Sequence, residues 1–122
     1  GTWMNLVDID VTPCRGFWVY KTSPATVCVN FTESDTSLPP VQQLYEGWNM
    51  IGHIDTSVMP IDDGTVADFG SITGLEGKFA MIYQWTQVSE WESCYPSGLN
   101  YMTSGQGYWI WMNEDAQMPG TP

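Results

Sequence analysis

The sequence predicts a single all-β domain, a β-dominated, sandwich-like antiparallel structure with at most one short helix near residues 60–75. Two observations lead to this prediction. The 122 residues include seven Trp, six Tyr and four Phe, and aromatic side chains fit the pleated surface of a sheet better than a helix. The apolar residues also form short or alternating runs between turn-forming residues, which is the pattern of strands joined by turns.

The apolar runs predict strands, in chain order, at residues 3–10, 16–22, 26–32, 41–45, 48–53, 78–85 and 108–112. Turn-forming pairs such as Ser23-Pro24, Leu38-Pro39 and Asp63-Gly64 separate these runs. Between residues 60 and 75 apolar residues recur every third position, which predicts the one short helix. Three glycines in that stretch weaken a helix, so we expect at most two turns there.

An aromatic strand occurs twice, because GFWVY at residues 16–20 returns as GYWIW at residues 107–111. When residues 12–27 are laid on residues 103–118, identical residues meet at four places. They are Thr12 and Thr103, Gly16 and Gly107, Trp18 and Trp109, and Ala25 and Ala116. We interpret 16–22 and 107–112 as an internal repeat, with convergence on a good buried strand as the alternative. Both faces of each copy are apolar, so we expect both strands to be covered on each side.

The charge of the chain excludes two classes of partner. Fourteen acidic residues stand against Arg15, Lys21 and Lys78, which gives a formal net charge of −11. Such a surface repels nucleic-acid backbones and anionic lipid headgroups. No apolar run approaches the roughly 18 residues of a spanning helix. We therefore expect neither nucleic-acid binding nor direct membrane insertion.

The cysteines predict a disulfide rather than a metal site. Cys14, Cys28 and Cys94 show no CxxC spacing, and His53 is the only histidine, so a zinc site does not fit. In an exported protein one disulfide and one free thiol are expected, and all three pairings stay open. Asn30 begins an Asn-Phe-Thr glycosylation sequon, which matters only in an exported glycoprotein.

Residues 44–52, LYEGWNMIG, are similar to the L-x-x-GWNLIG motif of repeat units in archaeal and bacterial secreted or cell-surface proteins. Those units end in P-G-x-GYW-[IV]-Y, which TSGQGYWI at residues 103–110 resembles, although Met50 and Ser104 depart from the motif. The resemblance implies an extracellular β module of the archaeal or bacterial envelope, often in tandem, without characteristic catalytic residues. It divides the chain into residues 1–46, the closing half of one unit plus a connector, residues 47–118, one full unit, and a tail or linker at 119–122.

We therefore expect a non-enzymatic structural subunit of a cell-surface layer such as an S-layer, a sheath or a filament. Its partners would be copies of itself or neighbouring repeat domains, joined through β-edges or terminal strands. No catalytic residue is assigned, because His53 has no nucleophile motif near it. Acid pairs such as Glu90 and Glu92 arise by chance among 14 acidic residues, which leaves a glycosidase-like hydrolase as a third interpretation.

Two further sites follow from the residue pattern. Trp85, Trp91, Tyr95 and Tyr101 lie in the least regular part of the chain, where exposed rings would stack on sugars and make a carbohydrate-binding module. The alternative is that these rings close the ends of an aromatic core. Asp62, Asp63 and Asp68 lie around Gly64 and are candidate calcium ligands, although the spacing of an EF-hand is absent. No other cofactor is expected.

Overall fold

The computed structural model describes residues 15–26, 41–53, 59–61, 72 and 74–119, and within these ranges it contains strands and turns but no helix. No helix able to span a membrane is therefore found in this part of the chain. The strands are β1 (Val41–Leu44), β2 (Gly47–Gly52), β3 (Met59–Pro60), β4 (Phe79–Trp85), β5 (Trp91–Tyr95), β6 (Tyr101–Met102), β7 (Gly107–Met112) and β8 (Ala116–Pro119).

Four strands form the main sheet in the order β2-β7-β4-β5, and every neighbouring pair is antiparallel. β2 and β7 pair without interruption, from Gly47 opposite Met112 to Gly52 opposite Gly107. β4 carries an irregularity on each side, between Phe79 and Met81 towards β7 and between Ile82 and Tyr83 towards β5. Two smaller antiparallel sheets, β1-β8 and β3-β6, complete the described architecture.

The core lies between one face of the main sheet and these smaller sheets. The main sheet contributes fully buried aliphatic side chains, such as Ile51, Ile82 and Ile110, and the smaller sheets contribute Leu44 and Met118. Burial of one such side chain stabilises the folded state by roughly 1.5–3 kcal/mol. The layered all-β architecture predicted from the sequence, a sandwich-like antiparallel domain, is confirmed.

Four of the predicted strands are confirmed, since the ranges 41–45, 48–53, 78–85 and 108–112 agree to within one residue at each end with β1, β2, β4 and β7. Predicted strand 3–10, and 26–32 apart from Thr26, lie outside the described residues, as does most of the predicted helix. At the end of that helical segment, the backbone N–H of Leu75 donates to the Ile72 carbonyl at 3.0 Å, and that of Lys78 donates to the Leu75 carbonyl at 2.9 Å. These bonds form turns, and they place Ile72 and Leu75 in the core.

The first copy of the aromatic repeat is not a strand, so the prediction for residues 16–22 is wrong. Arg15 forms one antiparallel bridge with Ile51 at the outer edge of β2, and the chain then leaves the sheet. The four large apolar side chains of residues 17–20 are between 42% and 70% exposed. The aromatic composition gave the segment the capacity to form a strand, but no second strand pairs with it along its length in the described structure.

The second copy, β7, lies between β2 and β4, as a central strand should. The prediction that both of its faces are covered is nevertheless wrong. Tyr108, Ile110 and Met112 face the core and are buried, whereas Trp111 on the opposite face is exposed. The described second layer covers only the core side of the main sheet, and the other side presents its rings outwards.

Candidate functional site

The outer face of the main sheet carries mostly aromatic side chains, and we call it the aromatic face. Strand alternation turns the neighbours of the buried residues outwards. The residues of this face are Trp48 and Met50 from β2, Met81, Tyr83 and Trp85 from β4, Trp91 and Ser93 from β5, and Trp109 and Trp111 from β7. The isoleucines of the same strands lie on the core side. The two faces therefore differ in chemistry as well as in exposure.

Trp48 contacts three other aromatic rings, and together they form the first ring cluster. Its ring centroid lies 5.3 Å from that of Trp111, 6.2 Å from Tyr83 and 6.4 Å from Trp109, with interplanar angles of 81°, 69° and 89°. Edge-to-face pairs of this kind contribute about 0.5–1.5 kcal/mol each beyond the burial of their area. The rings therefore hold one another in fixed orientations although Trp48 remains largely exposed. A ligand would meet a surface that is already organised.

The local sequence explains how Trp48 reaches this position. The side chain of Asn49 closes the turn before β2: its Oδ1 accepts from the Tyr45 N–H at 3.0 Å, and its Nδ2 donates to the Tyr45 carbonyl at 2.6 Å. Gly47 has a φ of +99°, which few residues other than glycine adopt. In the GWN triplet, glycine and asparagine shape the turn and tryptophan is presented on the aromatic face.

A second ring cluster lies at the end of the β4-β5 hairpin. Trp85 and Trp91 are direct cross-strand partners, and their ring centroids are 4.9 Å apart at 75°. Trp18, from the segment that left the sheet, lies 6.0 Å from Trp85 and 6.2 Å from Trp91, again edge-to-face. The three indoles form a triad that closes this end of the aromatic face.

A groove of about 510 Å³ lies on the aromatic face and is lined by Trp48, Met81, Tyr83, Trp91 and Trp109. Its volume falls within the roughly 300–1,000 Å³ of small-molecule sites. The described residues that line it include no acidic or basic side chain. A smaller cavity of about 160 Å³ lies beside Trp18 and Trp85 and shares Trp109 with the groove. The aromatic face therefore offers an apolar site of ligand size.

Trp109 brings a polar atom to this apolar surface. Its indole Nε1 is buried and has no hydrogen-bond partner in the structure. Buried donors are rarely left unpaired, so an N–H of this kind calls for an explanation. Because the Trp109 ring borders both the groove and the smaller cavity, a hydroxyl group on a bound ligand could accept this hydrogen bond after a small movement of the ring.

The structure places the four rings predicted for sugar binding in two different environments. Trp85 and Trp91 meet on the aromatic face, and Trp91 lines the groove. Tyr95 instead packs against Phe79, with centroids 4.9 Å apart, and Tyr101 lies in β6, where it pairs with Pro60 of β3. Sequence reasoning missed the groove residues Trp48, Tyr83 and Trp109. The alternation of Trp48, Tyr83 and Trp109 with the isoleucines of β2, β4 and β7 is the signal that could identify them.

The other predicted sites are placed as follows. Asp62, Asp63, Asp68, Asn30, Cys14 and Cys28 lie outside the described residues. No group of three or more potential metal-binding side chains occurs within the described ranges. Glu92 accepts a hydrogen bond from Gln84 Nε2 at 2.8 Å, and neither Glu90 nor Glu92 is among the residues that line the groove.

Cys94 is a free thiol that belongs to the core. Burial, and secondly the negative charge of Glu92, raise the pKa of the Cys94 thiol to about 11. The thiol is therefore protonated at neutral pH and is a poor nucleophile or metal ligand. Its role in the described structure is to fill the core.

Neither a protein-family model, nor a curated protein, nor a solved structure matches the chain. The similarity of residues 44–52 to the GWNLIG motif therefore stays an expectation drawn from the sequence.

Proposed function

We propose that the domain is a non-enzymatic carbohydrate-binding module, and that the aromatic face binds the rings of a neutral glycan. The observation that carries the proposal is the groove of about 510 Å³ lined by Trp48, Tyr83, Trp91, Trp109 and Met81. Solvent-exposed aromatic surface of this extent is uncommon on a small domain unless something binds to it.

The chemistry of the groove suits a sugar. A pyranose ring presents C–H groups on its faces and hydroxyl groups around its edge, so its faces can lie against indole and phenol rings while its edge remains polar. Trp and Tyr combine a large apolar area with a polar tip for the same kind of ligand. The unpaired Nε1 of Trp109 would donate to one hydroxyl.

The charge of the chain selects among ligands. A net charge of −11 repels sulfated or uronic-acid glycans. An organic cation is the competing ligand, because indole rings attract quaternary ammonium groups. We favour a neutral glycan because the described lining residues include no carboxylate to pair with a cation. Glycosidases place two carboxyl groups beside the sugar. Because the described residues that line the groove include no carboxylate, we propose binding and not hydrolysis.

The test is a glycan array followed by titration calorimetry on the purified domain. We expect binding to one class of neutral glycan and a loss of about tenfold or more in affinity for Trp48→Ala and Trp109→Ala, since buried Trp contacts dominate such interfaces. Val88→Ala is the matched control, because Val88 is 73% exposed in the β4-β5 turn and does not line the groove. Binding of choline but of no glycan, or unchanged affinity in both Trp variants, would overturn the proposal.

A structural subunit of a cell-surface layer, sheath or filament is the second candidate. It is favoured by the outer edge of β2, where the one strand-like backbone pairing among the described residues is the Arg15–Ile51 bridge. Residues 16–20 resemble in sequence the first five residues of β7, the strand that pairs with β2 on its other side. An open edge beside such a segment suits strand addition from a second copy of the chain.

Assembly is tested by sedimentation and electron microscopy of the purified chain over a range of concentrations. We expect ordered oligomers from the wild type and their loss in Val19→Pro, because proline removes an N–H that strand pairing needs. Gln87→Pro is the control, because Gln87 is the second residue of the exposed turn in which the Ser89 N–H donates to the Thr86 carbonyl, a position that accepts proline. A monomer at every concentration would overturn this candidate without affecting glycan binding. The location outside the cell, in either case, rests on the resemblance to secreted repeat units.

A further inference from the structure

Residues 15–20 cross onto the aromatic face instead of continuing along the edge of β2. After the Arg15–Ile51 bridge, Gly16 passes directly against β2. A Cβ at Gly16 would overlap Cγ of Met50 and lie 2.8 Å from the Ile51 carbonyl oxygen. The absence of a side chain therefore permits the crossing. Two residues later the crossing brings the Trp18 indole to the end of the β4-β5 hairpin.

Trp18 stands at the boundary between the groove and the smaller cavity. Trp91 lines the groove, Trp85 lines the smaller cavity, and Trp109 lines both. The Trp18 ring also lines the smaller cavity, and it contacts Trp91 edge-to-face at 6.2 Å and 85°. The contact between Trp18 and Trp91 therefore joins a ring of the smaller cavity, of about 160 Å³, to a ring of the groove, of about 510 Å³, and the Trp109 ring borders both spaces.

We propose that Trp18, packed edge-to-face on the groove residue Trp91, forms with it a specificity-determining wall that ends the groove beside the β4-β5 hairpin. The inference rests on the proposed glycan-binding function and adds the form of glycan that is recognised. A sugar chain lying on Trp48, Tyr83 and Trp109 cannot continue past Trp18. The site therefore accepts short neutral oligosaccharides or the terminal sugars of a longer chain, and not an internal stretch.

The wall can be removed without disturbing the core. Trp18 is exposed, belongs to no strand, and contacts rings of the aromatic face rather than residues of the buried cluster. In Trp18→Ala the two cavities join, and the faces of Trp85 and Trp91 that Trp18 covered become available to a further sugar. One additional aromatic contact is worth roughly three- to tenfold in affinity.

The experiment measures binding as a function of glycan length. The wild type, Trp18→Ala and Trp18→Phe are titrated with β-1,4-linked glucose, mannose and N-acetylglucosamine oligosaccharides, each from disaccharide to hexasaccharide. In the wild type we expect affinity to stop rising at a short length. In Trp18→Ala we expect the ratio of hexasaccharide to disaccharide affinity to be roughly three- to tenfold larger. Trp18→Phe keeps a ring in place and should resemble the wild type, as should Val88→Ala.

A second measurement tests, without any ligand, whether Trp18 packs against Trp85 and Trp91 in solution. In amide and indole NMR spectra, Trp18→Phe should remove one indole N–H signal and shift those of Trp85 and Trp91. Absence of these shifts would show that the wall does not form in solution, and would overturn the inference. The same length dependence in wild type and Trp18→Ala would overturn it while leaving glycan binding intact. Failure of every protein to bind any of these sugars would overturn the proposed function and this inference with it.

Discussion

Burial controls the ionisation of Cys94, a residue of the core side of β5. The pKa of this thiol is raised from 9.0 to about 11 in the folded protein, mainly because the thiolate would be desolvated and secondly because of Glu92. Between pH 9.0 and about 11 the unfolded chain releases a proton that the folded chain keeps. The contribution of Cys94 to the free energy of unfolding is therefore complete below this range and is lost as the pH rises through it.

We expect the urea midpoint of the wild type to fall over this pH range and that of Cys94→Ala to fall less steeply. Burial also raises the pKa of Tyr108, and this shift acts in the same direction, so the variant should keep part of the dependence. Urea unfolding at several pH values, followed by circular dichroism, measures both midpoints. Parallel pH profiles for wild type and Cys94→Ala would mean that the Cys94 thiol has the same pKa in the folded and the unfolded protein, which would contradict the prediction.

Gly98 is required by a close approach of two backbone segments. It has a φ of +125°, and a Cβ there would overlap the carbonyl oxygen of Ser93 in β5. That strand cannot move away easily, because the N–H groups of Leu99 and Asn100 donate back to it at 3.3 and 2.9 Å. We expect Gly98→Ala to lower the free energy of unfolding by about 2 kcal/mol or more.

Gly105 provides the matched control for Gly98. Its φ is +80°, but nothing lies within 4 Å of the position of a Cβ. Gly105→Ala should therefore cost only the backbone strain of a left-handed residue, about 1–2 kcal/mol. Denaturant unfolding of both variants measures the difference. A loss at Gly105 equal to or larger than that at Gly98 would contradict the steric explanation.

At the level of elements, β7 contributes alternate side chains to the core and to the groove that is proposed to bind a glycan. Ile110 points into the core and is fully buried, whereas Trp109 lines the groove. Ile110→Ala should lower the free energy of unfolding by about 2–5 kcal/mol, because it leaves a cavity. The fraction that remains folded should bind the glycan normally. Trp109→Ala should show the reverse, a large loss of affinity with a smaller loss of stability. Titration calorimetry measures the affinity of each variant, and urea unfolding measures its stability. If both variants lost affinity and stability to the same extent, the assignment of Ile110 to the core and Trp109 to the groove would be contradicted.

The elements that could be predicted from the sequence are those with a dense apolar run. FAMIYQW and GYWIWM contain enough such residues to identify β4 and β7. β5 and β8 were not predicted, because Glu92 and Ser93 interrupt one run and Gln117 and Pro119 interrupt the other. β8 is stabilised by Val41–Leu44, a neighbour distant in the sequence, and β5 by the other arm of its hairpin, Phe79–Trp85. Propensity within a short window carries no information about such neighbours.

The candidate site was predicted only in part for a related reason. Trp85 and Trp91 stand in the least regular part of the chain, which makes them candidates. Trp109 belongs to a strand that the sequence predicts to be covered on both faces, and no irregularity in the sequence singles out Trp48. Alternation alone assigns Trp109 and Ile110 to opposite faces. Which face is covered depends on where the remaining strands pack, and this is a property of the tertiary structure. The strand predicted at residues 16–22 does not form, because no partner strand lies along it in the described part of the chain.

At the scale of the whole molecule, a strongly acidic chain carries a groove whose described lining is uncharged. The net charge is −11, yet the described residues that line the groove are uncharged. The smaller sheets cover one side of the main sheet and leave the other side to its aromatic residues. A net charge of −11 opposes contact between the exposed apolar patches of different copies. The apolar groove can then remain available for an uncharged ligand.

The uncharged lining of the groove predicts how the proposed binding of a neutral glycan responds to salt. The Debye length falls from about 30 Å to about 3 Å between 0.01 and 1 M ionic strength. Contacts between an uncharged sugar and uncharged rings are not screened, so the affinity for a neutral oligosaccharide should change little over this range. A sulfated polysaccharide should fail to bind at low salt, where the repulsion by 14 acidic residues is strongest. Calorimetric titrations across the salt series measure both ligands. An affinity for the neutral oligosaccharide that falls steeply as salt rises would contradict binding through uncharged rings alone.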